Sequence, residues 1–458
     1  MSDLMKPGCG PGAVPGAISY LEGEGVAMHS LLADKGGTLV LEAYWDPWKR
    51  DDVHRIYSCT KSFVALAVGC LLTDGLLDLD DRIVSFFPQY VIQPVHPWLR
   101  DLTVRDMLMM RTCHRMTTYK IGADGRYIPS WRHDWVRSFF DTPPDHEPGS
   151  VFIYDTSATH VLASLVENLS GTDFLSYLRL KFLDRLGVSA DTRILCDPEG
   201  RPCGGSGLMM RPVDLLKVIA ALGRGELDDV ISSDYLRAAT SPLSLTLRGH
   251  DGRETGYGFF FWTDDDGTFA MMGLGGQYAL YDPVHDLAFV TTADTQASRT
   301  GDLAIRKALA MIAADCPDSP VQLPALTLHS LRGEGRCLVK DGVYEFAGPL
   351  WKRLELSSDD EGGRISITLD GTVYDIPFAF NRNIISDFPA ELSGPSAASA
   401  AVLPDGSLLI LVQLLGRELG SIRMHLCPGS SSLTVVSGQA GEVSFRGFDF
   451  TGTGIAVV

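Results

Sequence analysis

Phe63 to Leu72 reads Phe-Val-Ala-Leu-Ala-Val-Gly-Cys-Leu-Leu, with no charged side chain along it. A helix that is apolar on every face belongs inside a protein, so the rest of the fold must pack around this one. Thr73-Asp74-Gly75 closes the run, with glycine placed as a C-terminal cap. This is the longest apolar run in the chain. It falls far short of the roughly 20 residues that a membrane-spanning helix requires.

Ser58 and Lys61 stand three residues apart at the entrance to that helix, in His54-Arg55-Ile56-Tyr57-Ser58-Cys59-Thr60-Lys61-Ser62. Helix positions i and i+3 share a face, which brings a hydroxyl and an amine within reach of proton transfer. The helix N-terminus adds backbone N–H groups and a positive dipole end, both suited to an oxyanion forming beside the hydroxyl. Ser-x-x-Lys is a short pattern, and an ordinary capping serine would also open such a helix. Two features weigh toward chemistry. No other lysine in the chain has a serine three residues before it, and lysines are rarely buried without a reason. Cys59 lies next to Ser58 but points elsewhere on a helix, so a thiol nucleophile is the weaker reading.

A chain of 458 residues exceeds one ordinary core and predicts two domains. The net charge of −18, with no basic cluster, argues against nucleic acid and anionic membrane as partners. Met1 to Gly16 is rich in glycine and proline and lacks the basic start and apolar stretch of a secretion signal. Nine scattered cysteines, never spaced Cys-x-x-Cys, read as reduced thiols in a cytoplasmic protein.

Gly37 to Trp45 has strand character, and Thr103 to Asp106 is a capping box opening a short helix. Ser157 to Leu169 and Thr172 to Leu186 are apolar at helical spacing, so residues from about 80 to 220 read as mainly helical. Strand signals return at Gly256 to Trp262, Gly276 to Tyr281 and Leu287 to Thr292, and Asp302 to Ala314 reads as a helix. The expected fold of residues 1–318 is therefore α/β of the α+β type: an antiparallel sheet flanked by helices, with a helical insertion. After Cys316-Pro317-Asp318-Ser319-Pro320 the texture becomes short and alternating, with Asp370-Gly371 and Asp405-Gly406 as hairpin turns. Residues 319–458 should form an all-β domain, a sandwich or small barrel, with small-residue Ser393 to Ala401 as a loop.

Several segments, in order, resemble the serine β-lactamase and penicillin-binding protein superfamily. The branch is that of class C β-lactamases, DD-peptidases, EstB-type esterases and 6-aminohexanoate-dimer hydrolases. The resemblance spans roughly residues 30 to 312 and rests on Ile56 to Ser62, Gly75 to Asp81, Leu102 to Leu108, Glu147-Pro148-Gly149, Phe152-Ile153-Tyr154, Gly204 to Leu208 and Gly273 to Gln277. It implies Ser58 as nucleophile, Lys61 as its base partner and Tyr154 as a proton shuttle. It further implies an oxyanion hole from the backbone N–H groups of Ser58 and Leu274, with Thr156, Met271, Gly273, Gly275 and Gly276 against the substrate. No metal or organic cofactor is implied.

Two positions depart from the family pattern. Thr156 stands where asparagine is usual, and Met271 stands where lysine or histidine is usual. Methionine supplies neither charge nor a strong hydrogen bond, so an anchor for a substrate carboxylate is missing there. The expected activity is hydrolysis of a small-molecule ester or amide through an acyl-Ser58 intermediate. Lactam or DD-peptidase chemistry is the alternative, and a non-catalytic binding homologue a second; a homo-oligomer stays open. The remaining motifs have structural readings. Gly204-Gly205-Ser206-Gly207 lacks the Lys-Ser/Thr of a phosphate loop and reads as a turn. His54, His114, His133 and His160 do not fall at metal-ligand spacings, and Tyr257 and Trp262 read as packing residues.

Overall fold

The computed structural model describes residues 12–115, 119–121, 127–129, 134–246, 256–298, 300–388, 394–441 and 447–457; His133 and Ser393 lie outside them. They divide into two compact units. The first holds His29–Ala293 and Lys307–Leu326 with the start of the N-terminal helix; the second holds Ile18–Met28, Asp294–Arg306 and the chain from Thr327 onward.

At the centre of the first unit is the helix Cys59–Thr73, buried from Cys59 through Leu71. Its end follows from the sequence: Gly75 takes φ +72, and the Leu76 N–H reaches back to the Leu71 carbonyl at 3.0 Å, the bond that satisfies a helix's last free acceptors. The helix Thr156–Ser170, capped by Asp155 and ended by Gly171 at φ +70, packs against it. Close packing leaves no slack at Gly69. A Cβ there would lie 2.7 Å from both the Ile231 Cγ2 and the Tyr235 ring. Gly69→Ala should therefore destabilise the first unit by about 1–3 kcal/mol through overpacking, despite alanine's better helix propensity. Urea denaturation checks this, and a raised midpoint would contradict it.

A nine-stranded sheet stands beside these helices. Its spatial order is Leu326–Thr327, Thr38–Asp46, Ala27–Lys35, Leu287–Asp294, Gln277–Asp282, Phe269–Gly273, Trp262–Thr263, Gly256–Tyr257 and Ser244–Leu245. Its hairpins pair antiparallel, so the fold class is the one expected. The helical insertion contains the expected capping box at Thr103 and Asp106. Among the described residues no helix is long and apolar enough to cross a membrane.

One strand expectation is corrected. Gly256 to Trp262 is two short strands folded back on each other, with Tyr257 opposite Trp262. Between them Phe260 takes φ +58 and donates its N–H to the Leu108 carbonyl at 3.1 Å. The aromatic run reverses because its backbone is tied to neighbouring elements.

The second unit contains a closed β-barrel. Thr372–Phe380 begins an antiparallel series running through Gly362–Leu369, Trp351–Ser358, Gly342–Glu345, Phe450–Ala456, Ser432–Gly441, Gly420–Pro428 and Leu408–Leu414 to Gly394–Val402. Thr372–Phe380 then pairs in parallel with Gly394–Val402, closing the ring. Trp351, Phe378, Met424 and Ile410 are among the side chains of its core. Asp370-Gly371 is the expected hairpin turn, with φ +48 and +81 at the two residues.

The expected loop at Ser393 to Ala401 is corrected: Gly394–Val402 is a barrel strand, buried from Ser396 onward. Its small side chains mask strand character because both faces are covered. The Leu331 N–H donates to Ser399 Oγ at 3.0 Å, and Gly333 lies so near the Val402 carbonyl that a Cβ would approach it to 2.4 Å.

Candidate active site

The chain enters the central helix through a sharp turn. Tyr57 adopts φ +47, in the left-handed region that non-glycine residues seldom occupy. The Arg55 guanidinium lies over the Tyr57 ring at 4.5 Å and donates to the Ser206 carbonyl at 2.8 Å. Ser58 follows as the N-cap residue, yet its hydroxyl makes no capping bond. It faces Lys61 instead, with Nζ 2.9 Å from Oγ.

Lys61 is only 1% exposed. Burial pulls its amine down from an ordinary 10.5 to about 7, while the nearby Asp155 carboxylate works in the opposite direction. Burial is the larger of the two effects; Asp155 itself accepts from the Ser157 N–H at 3.0 Å and from its hydroxyl at 2.6 Å. The amine also donates to the Gly205 carbonyl at 2.6 Å and sits 5.0 Å from the centre of the Tyr154 ring. Tyr154 is half-buried. Its ring stacks on Trp262 at 5.8 Å and meets Tyr257 edge-on at 6.3 Å. Lys61 thus has the Ser58 hydroxyl and the Tyr154 ring as neighbours, and Tyr257 and Trp262, expected as packing residues, pack against that ring.

Gly204 and Gly205 acquire a role that their turn-like sequence does not disclose. A Cβ on Gly205 would come within 2.3 Å of the Thr156 methyl, and one on Gly204 within 2.5 Å of the Ala163 side chain. Only glycine lets this backbone press onto the Thr156–Ser170 helix and deliver a carbonyl to Lys61. Thr156, half-buried at the first turn, packs here.

The third segment is the hairpin joining Phe269–Gly273 to Gln277–Asp282. Gly273 lies against the turn before the helix: a Cβ on it would meet the Ile56 carbonyl at 2.3 Å and the Ser58 nitrogen at 3.2 Å. Leu274 follows, 43% exposed. The same hairpin places Met271, Gly275 and Gly276. Met271 is 0% exposed and belongs to the hydrophobic core, because the strand register turns its side chain inward. Gly275 and Gly276 are buried turn residues with φ +79 and +88, and they serve the shape of the loop.

Cys59 points away from Ser58 and donates to the Gln277 carbonyl at 3.1 Å; burial pushes its thiol far up, so it is no thiolate at neutral pH. His54 meets the Trp48 ring at a tilt and stacks on His29. His160 pairs with Asp197 at 3.0 Å, and His114 is buried beside Cys113. Among the described residues no group of three or more His, Cys, Asp or Glu side chains could hold a metal ion.

A family model described as Beta-lactamase matches residues 23–312. The chain belongs to the beta-lactamase family. The 6-aminohexanoate-dimer hydrolase of Paenarthrobacter ureafaciens is 23% identical over 295 residues, covering 58% of this chain and 72% of its own. Among solved structures, EstCE1, a hydrolase with promiscuous acyltransferase activity, superimposes with a TM-score of 0.55 at 18% identity, over 65% of this chain and 97% of its own. The octameric penicillin-binding protein homologue from Pyrococcus abyssi gives a TM-score of 0.53 at 17% identity, over 94% of this chain and 99% of its own. At such identities the structural likeness speaks for the fold. In this beta-lactamase family member, the family match takes in Ser58, Lys61, Tyr154 and the 273–276 hairpin.

Proposed function

We propose that this chain is a serine hydrolase that cleaves an ester or small amide through an acyl-Ser58 intermediate. The observation that carries this reading is a buried amine, brought down to about 7 and held 2.9 Å from the Ser58 hydroxyl. Neutral Lys61 takes the hydroxyl proton as the Ser58 Oγ bonds to the substrate carbonyl carbon, whose π electrons move onto oxygen. The Ser58 and Leu274 N–H groups stabilise that oxyanion, a contribution of about 3 kcal/mol per donor. Collapse expels the alcohol or amine, which receives its proton through Tyr154, and water then releases the acid by the same steps. The named hydrolases among the relatives support an acyl-transfer reading.

Buried Met271 disfavours a true β-lactamase or DD-peptidase, since it offers no cation for a substrate carboxylate. Turnover of p-nitrophenyl acetate with little of nitrocefin is the expected outcome. Rapid nitrocefin turnover with none of the ester would make it a lactamase. No labelling by a fluorophosphonate probe would make it a binding homologue.

A further inference from the structure

The loop Leu274-Gly275-Gly276 presents a physical problem. Two consecutive glycines at positive φ give it a backbone with little intrinsic constraint, yet an oxyanion donor works only when its N–H is held in place before the reaction. The fold meets this with side chains from outside the loop. Gln277, 1% exposed, spends its whole amide there. Its Nε2 donates to the Leu274 carbonyl at 3.0 Å and to the Ala293 carbonyl at 2.6 Å, and its Oε1 accepts from the Ala293 N–H at 3.4 Å. At the far end of the loop, Thr291 Oγ1 donates to the Gly276 carbonyl at 2.8 Å. Gly273, before the loop, is wedged against the Ile56 carbonyl and the Ser58 nitrogen. The 273–274 peptide is thus flanked by a steric stop on one side and a hydrogen-bonded carbonyl on the other. The Cys59 thiol completes the tie, linking the central helix to the Gln277 backbone.

We propose that Gln277 is a positioning residue for the hydrolytic reaction, its amide fastening the Leu274 carbonyl to the neighbouring strand so that the Leu274 N–H keeps its aim at the oxyanion. This rests on the acyl-Ser58 reading above. Ground-state binding does not depend on that aim, whereas the transition state does, so the loss belongs in kcat more than in KM.

Gln277→Met keeps the unbranched shape and removes both donors. Its kcat for p-nitrophenyl acetate, measured per active site titrated with a fluorophosphonate, should fall on the order of 100-fold with KM changed less than threefold. Titration separates this from a folding defect, which would lower the number of active sites and leave kcat per site intact. Gln277→Asn, one methylene shorter, and Thr291→Val extend the measurement should Gln277→Met fail to fold, and both should move kcat per site in the same direction. An unchanged kcat per site in the folded variants, with only thermal stability reduced, overturns the positioning role and leaves acyl-Ser58 chemistry standing. A wild type that neither labels nor turns over ester removes the acyl-Ser58 reading itself, and the role of Gln277 with it.

Discussion

Ser58→Ala is expected to abolish fluorophosphonate labelling and to lower ester turnover by about 10⁵-fold or more, leaving the fold intact. The size follows from the nature of the step, since removing a nucleophile deletes the bond-forming atom and leaves only the residual help of binding and oxyanion donors. The fold tolerates the change because the Ser58 hydroxyl caps nothing and instead accepts from Lys61 Nζ. Intact-mass measurement after a short pulse of p-nitrophenyl acetate should show an acetyl adduct on wild type and none on the variant. An adduct that persists on Ser58→Ala would place the nucleophile elsewhere.

Lys61→Met should have opposite effects on activity and stability. Without its base, acylation is expected to slow by about 10³-fold or more, and the wild-type rise of kcat/KM with pH through about 7 should vanish. Stability moves the other way. Between about pH 7 and 10.5 the native amine is neutral while the unfolded chain's amine still binds a proton. The unfolded state then holds more protons, and stability climbs with pH across that window. Read downward, the stability present above 10.5 is lost as pH falls toward 7, and below that the full cost of the buried charge is carried. That cost is about 5 kcal/mol at pH 6 and about 2 kcal/mol at pH 9. Replacing Lys61 removes it but strands the Gly205 carbonyl, which costs about 1–3 kcal/mol. Lys61→Met should therefore be more stable than wild type by about 2–4 kcal/mol at pH 6 and nearly equal to it at pH 9. Denaturant midpoints at the two pH values check this, and a variant less stable at pH 6 than at pH 9 relative to wild type would overturn it.

What the sequence disclosed tracks the range of each interaction. The Ser58 to Lys61 contact spans one helical turn, so spacing alone foretold it. The Asp370-Gly371 hairpin and the Thr103 to Asp106 capping box are likewise local. The Lys61 bond to the Gly205 carbonyl crosses 144 positions, and no local pattern marks Gly204-Gly205 as more than a turn. Gln277 was visible only as the end of a glycine-rich motif; its clamp depends on Ala293, a residue on the next strand. Met271 shows a different limit. Its place in the motif was legible, but the side it faces is fixed by pairing with Ala279, and a register is a property of two strands. Gly394–Val402 escaped because alanine and serine carry weak strand preference, and burial on both faces overrode it.

Closure of the second sheet has a consequence for how this chain resists aggregation. Thr372–Phe380 pairs with Gly394–Val402, and the borders of the nine-stranded sheet are two-residue strands, Leu326–Thr327 and Ser244–Leu245. Among the described strands, the unpaired borders are therefore short, the longest being Ile384–Phe388, which pairs on one side with Gly394–Val402, and short borders give a stray chain little backbone to template on. The exposed interval comes earlier, before the ring shuts, when the apolar Leu408–Leu414 segment awaits its partners on both sides.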